Sequence, residues 1–275
     1  MRIIKKILSY MIKNIWRLLL PVVPSALLLG FFYEPAISLT FIKEYAVTGI
    51  DSIADVFALI FSTEWAYYAI GLPAFFVIMV ASGSYLLSMV YKHFRTGKIS
   101  VRTPFVNMNH SVGAIMFAII CLFVVMLIYK FLFSCLVSLI SMITAKTSVP
   151  GAAEITLSCL LGIVTYFPVT YLLMYPVLTS SVMLVYGYRF NEAFSFAIQL
   201  RDKPKFYEVE LAFMFPIVIN AIGSYLLTFL GMPDFINVPI QMVVNTFVLS
   251  YFVVFSITVV FDLLQFERLD TRKLY

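Results

Sequence analysis

Three side chains in this sequence could do chemistry in apolar surroundings: Lys130, Asn220 and Asn245. Each lies within a long apolar run, where an uncompensated polar group is costly and so marks a contact or a path. Lys130 is the one basic residue well inside such a run. It has three uses there: its stem lets the ammonium snorkel to the interface, it pairs with a carboxylate such as Glu34 or Glu154, or it anchors an anionic group. Asn220 and Asn245 lie almost equally far before and after Pro233, within the turn Gly231 to Asp234. An antiparallel hairpin folded at that turn brings both amides to nearly one depth. A hydrogen bond between them would contribute about 1 kcal/mol or less; the alternative use is a polar lining for translocation.

Elsewhere the means for chemistry are scarce. His93 and His110 lack Cys, Asp or Glu at ligand spacing, so no metal is expected. There is no Gly-x-Ser-x with a distant in-span His, no HExxH, no pair of in-span aspartates, and no phosphate-loop or dinucleotide fingerprint. The sequence therefore leads us to expect no cofactor and no catalytic residue. Cys121, Cys135 and Cys159 all fall in apolar runs and are odd in number, which reads as small apolar side chains rather than a disulfide framework.

The elements that must position these residues follow from composition. Of 275 residues, 62% are hydrophobic and 12% charged, about half the charge that a water-facing domain of this size carries. That predicts an all-α, polytopic integral membrane protein and excludes a soluble enzyme or a nucleic-acid reader. Six regions reach the length of a bilayer-spanning helix: about 18–39, 66–91, 112–143, 155–187, 208–230 and 236–263. The first shows no small-residue cleavage site after its apolar core and reads as a span rather than a signal peptide. Sixteen of the 19 Lys and Arg fall in the N-terminal arm, the second loop, the fourth loop and the tail. By the positive-inside rule both termini are then cytoplasmic, in a bacterial cytoplasmic membrane.

Residues 1–17 place Ile4, Ile7, Leu8, Met11, Ile15 and Trp16 on one helical face and Arg2, Lys5, Lys6, Ser9 and Lys13 on the other. This predicts an amphipathic helix lying on the inner leaflet with Trp16 at headgroup depth. A second such element follows span four, with Asn191 as cap and Phe194, Ala197 and Leu200 on one face; a shorter one, over residues 98–110, precedes span three. Lys5, Lys6, Lys13, Arg95, Lys98, Arg102, Arg201, Lys203 and Lys205 form a basic surface suited to docking or to anionic lipid. The expected partners are inner-leaflet lipids and a cytoplasmic ATPase or another membrane subunit, and no nucleic acid. Prolines punctuate several spans, among them Pro21, Pro24, Pro73, Pro168, Pro176 and Pro216, either to break helices around a midplane site or simply because membrane helices tolerate them. Spans three and four exceed the bilayer, and Ile50, Ile53, Phe57, Ile60 and Phe61 predict an amphipathic outer helix to cover their tips.

The basic N-terminus, the loop Tyr91-Lys92-His93-Phe94-Arg95-Thr96-Gly97-Lys98, and the segment from Tyr175-Pro176-Val177 through Phe190-Asn191-Glu192-Ala193 to Leu200-Arg201 carry a resemblance. Together they resemble an uncharacterised bacterial six-helix membrane domain that occurs alone and also fused to some glycerophosphodiester phosphodiesterases. The resemblance implies a role in membrane or envelope homeostasis and transfers no catalytic residue. The layout is also similar to permease subunits of ABC exporters, which begin with an amphipathic helix, cross six times and dock a separate ATPase on cytoplasmic loops. That likeness implies docking helices at 98–110 and 190–203.

Overall fold

The structure is a computed structural model, and it describes residues 2–32, 65–98, 102–147, 151–202, 206–229 and 234–265. These residues form α1 (Arg2–Lys13), α2 (Ile15–Phe32), α3 (Trp65–Thr96), α4 (Arg102–Thr147), α5 (Gly151–Tyr186) and α6 (Phe190–Gln199), then a 3-10 turn (Leu200–Asp202), α7 (Phe206–Phe229) and α8 (Asp234–Leu263). No strand occurs among them. The outer helix expected at 50–61 lies outside the described residues.

Three stretches are long and apolar enough to cross a membrane: Pro73–Thr96, Pro168–Tyr186 and Pro239–Leu263. Two shorter apolar helical stretches, Ile15–Leu27 and Ser111–Val125, accompany them. Around the outside, Phe123, Ile128, Phe131 and Leu132 of α4, Val164 of α5 and Val243 of α8 stand exposed. An apolar surface this extensive has no stable place in water, and the chain is a membrane protein.

α8 is the centre of the bundle, packing on α1, α2, α3, α5 and α7. Val254 to Phe261 are all buried, with no polar stripe turned outward, the mark of a helix surrounded by others. Direction follows from contact pairs. Tyr251 meets Ala212 and Gln241 meets Asn220, so α7 and α8 are antiparallel. Ser88 meets Ser111 while Gly83 faces Ile115, so α3 and α4 are too. α3 and α8 finish side by side, with Phe94 and Phe261 edge to face at 5.4 Å. One end of the bundle thus gathers α1, the end of α3, the start of α4, α6 and the end of α8; we call it the basic end.

Contact between α3 and α4 depends on small side chains, as is usual where lipid removes the hydrophobic drive for helix association. A Cβ on Gly83 would lie 3.0 Å from Ile115 Cγ2. The Ser111 hydroxyl is 2.9 Å from the Ser84 carbonyl and 3.0 Å from that of Met108, and Ser88 Oγ stands 2.8 Å away. Ser111 has one proton to donate, so it serves one carbonyl at a time while a lone pair takes the Ser88 hydroxyl.

Several expectations change. The short surface helix expected at 98–110 is not separate: α4 runs unbroken from Arg102 for 46 residues, about 70 Å at 1.5 Å per residue. Pro21, Pro24, Pro73, Pro168, Pro176, Pro216 and Pro239 all sit inside a helix rather than at its end. The N-terminal arm is two helices rather than one. They part at Asn14, whose side-chain amide donates back to the Tyr10 carbonyl at 3.0 Å, and Trp16 lies in the first turn of α2.

Candidate functional site

The most specific contacts cluster at the basic end. α1 buries Ile3, Ile7, Tyr10 and Met11 against protein, a face rotated from the lipid-facing one expected, while Ile12 and Trp16 stay exposed at 71% and 81%. Two polar contacts set that rotation. Tyr10 Oη and His93 Nδ1 are 2.8 Å apart, one of them donating, and the Lys6 ammonium donates to Asp262 at 2.5 Å. Asp262, near the end of α8, is held in this ion pair. Between them Phe94, fully buried, takes the Tyr10 ring edge-on at 5.0 Å and Phe261 on its other side.

The basic side chains divide by what they touch. Lys5 and Lys13 are exposed on α1. Arg95 lies over the Tyr91 ring at 5.9 Å and donates to its hydroxyl at 2.7 Å. Lys98 follows the stop of α3, where Gly97 takes φ 69° and its N–H bonds the His93 carbonyl; only glycine adopts that left-handed cap without strain. Arg201 is exposed in the 3-10 turn. Arg102 opens α4 with its side chain outside the described residues, and Lys203 and Lys205 lie outside them altogether. α6 buries Ala193 and Ala197, followed by Leu200. Its cap is Arg189 rather than Asn191, and the Arg189 backbone N–H donates to Glu192 Oε2 at 3.1 Å.

Deeper in the bundle the polar contacts carry no charge. Asn220 and Asn245 are expected to meet across the hairpin; the residue that faces Asn220 is Gln241, one helical turn before Asn245. Its Nε2 donates to Asn220 Oδ1 at 3.3 Å and approaches Asn245 Oδ1 at 3.5 Å. The Asn245 Nδ2 is buried with no partner among the described residues. Sequence reasoning missed Gln241, although its position one helical turn before Asn245 was a usable signal. It also missed the role of Pro216. A proline there cannot donate to the Ala212 carbonyl, four residues back, and the buried Tyr251 hydroxyl donates to that oxygen instead at 2.8 Å. Lys130 sits on α4 with its side chain outside the described residues; its neighbours Ile128, Phe131 and Leu132 are exposed.

Chemically, this is an arrangement of hydroxyls and amides. Among the described residues no buried side chain is charged, and no group of three His, Cys, Asp or Glu comes together. Such groups exchange hydrogen bonds and hold helices in register. No family model matches the chain, and neither a curated protein nor a solved structure matches it.

Proposed function

We propose that this is a non-enzymatic, six-span protein of the bacterial cytoplasmic membrane, with both termini in the cytoplasm, acting in membrane or envelope homeostasis. The observation that carries this reading is the contrast between an interior of uncharged hydroxyls and amides and a single end rich in cations. Among the described residues no carboxylate is buried, and an interior without one is poorly suited to proton relay or hydrolysis. A basic end suits the anionic inner leaflet.

A second reading, a permease subunit working with a separate ATPase, is favoured by one feature. α6 is a short helix at the basic end between two long ones, and it exposes Asn191, Glu192 and Gln199, a polar surface that a cytoplasmic partner could grip.

Two measurements test these readings. With the native cysteines replaced, single cysteines at Lys13 and Arg95 should resist a membrane-impermeant maleimide in intact cells and react in inverted vesicles; labelling from outside would overturn the orientation. Purification in mild detergent should yield the chain without an ATPase, and a stoichiometric ATPase would establish the second reading over the first.

A further inference from the structure

On the side of α1 turned away from the ion pair, the structure opens a groove of about 620 Å³. Its floor is apolar: Ile4, Leu8 and Ile12, spaced one helical turn apart, with Phe215 of α7 opposite. Lys5, Ser9 and Lys13 form its rim. Among the described residues no acidic side chain lines it, and Asp262 is held by Lys6. Both rim lysines are exposed. They lie two turns apart on one side of the helix, about 12 Å along the axis, so their ammonium groups bracket the mouth rather than converge on one point. Beyond Asn14 the first turns of α2 expose Trp16 and Leu20, at 81% and 79%.

We propose that this groove is a binding site for an anionic phospholipid, with an acyl chain on Ile4, Leu8, Ile12 and Phe215 and the phosphate drawn by Lys5 and Lys13. The argument is charge complementarity joined to shape. An open apolar trough without a polar floor gives a protein partner little to recognise, whereas it accepts a flexible hydrocarbon chain, and two exposed cations with no carboxylate among the described lining residues select a negative headgroup over a zwitterionic one. Binding there would tie α1, and through Lys6–Asp262 the end of α8, to the lipid composition of the leaflet. The proposal deepens the homeostasis reading by naming a lipid class, and it rests on the proposed orientation only for which leaflet supplies the lipid.

The test uses the full chain, delipidated in mild nonionic detergent and titrated with phosphatidylglycerol or with phosphatidylcholine of the same chains, bound lipid being counted by native mass spectrometry. Wild type should prefer phosphatidylglycerol. Lys5→Gln with Lys13→Gln should weaken that binding on the order of 30-fold and leave phosphatidylcholine unchanged, whereas Lys5→Arg with Lys13→Arg should keep the preference. Ile12→Gln should weaken both lipids alike. Arg95→Gln with Arg189→Gln removes the same charge from the same end outside the groove and should change little. Equal binding of the two lipids, or an equal loss in the Arg95/Arg189 control, would overturn the site. Because both lysines are exposed and the Lys6–Asp262 pair is untouched, the variants should elute as the wild type does in size exclusion. The maleimide experiment decides orientation separately, so the groove and the topology can fail independently.

Discussion

At the basic end, polar contacts between helices use full charge or a titratable ring: Lys6 with Asp262, at 34% and 20% exposure, and Tyr10 with His93. Between α7 and α8 the same job falls to amides and a phenol, in the Asn220–Gln241–Asn245 cluster and the Tyr251 bond to the Ala212 carbonyl. The difference follows access to water. A half-wet ion pair keeps part of its hydration and costs little to form, whereas in a dry interior the desolvation of two ions can exceed their attraction. Amides and hydroxyls are the most polar groups that the interior holds cheaply, and only when they find partners. The groups left over, the buried hydroxyls of Ser84, Ser181, Ser250 and Thr258 and the Asn245 Nδ2, have no partner among the described residues, and none is an ion, whose unpaired burial would cost far more.

Mutations can break or sharpen that comparison. The largest effect should come from Phe94→Ala, which empties the contact between Tyr10 and Phe261. We expect a loss of about 3–5 kcal/mol in unfolding in mild detergent, and faster trypsin cleavage at Lys13 as α1 comes away. A loss well under 1 kcal/mol would mean that the aromatic stack does not hold the basic end together. Next is Tyr251→Phe, which strands the carbonyl that Pro216 has freed and should cost about 1–3 kcal/mol. Adding Pro216→Ala returns a backbone donor to Ala212 and should recover most of that loss; strictly additive effects would show that the tyrosine and the proline act apart.

Smaller effects separate the two regions by their physics. Gln241→Leu and Asn220→Leu should each cost about 1 kcal/mol or less, with the second change nearly free once the first is made. Full additivity would mean that the amides do not meet. Lys6→Met should cost least, about 0.2–1 kcal/mol. Its cost should shrink as salt rises from about 0.01 to 1 M, because screening shortens from about 30 to 3 Å, while the Gln241 effect stays constant. If the Gln241 effect instead followed salt, the dry interior inferred for α7 and α8 would have to be abandoned.

Much of the scaffold was legible beforehand. The apolar runs at 66–91, 155–187, 208–230 and 236–263 match α3, α5, α7 and α8 to within about five residues at either end, because hydropathy and helix length obey the same physical limit. Counting from the turn pointed to Asn220 and Asn245 as interior polar residues, but the cross-helix partner of Asn220 is Gln241. Facing was not legible. The periodicity of residues 2–13 defines an amphipathic helix but not whether its apolar side meets lipid or protein, and the structure turns it toward α8.

What the sequence determined by itself is the class of molecule, the approximate extent of most of its long apolar helices and the gathering of cations at one end, all of which depend on local composition. The tertiary structure alone decided which groups pair. Lys6 and Asp262 stand 256 residues apart in the chain and Tyr10 and His93 stand 83 apart. Tyr251 answers a carbonyl whose need arises from a proline on another helix. The reason is that lipid is as apolar as a leucine side chain, so hydropathy cannot choose among neighbours; that choice is made by the fit of small residues and by each buried donor finding an acceptor.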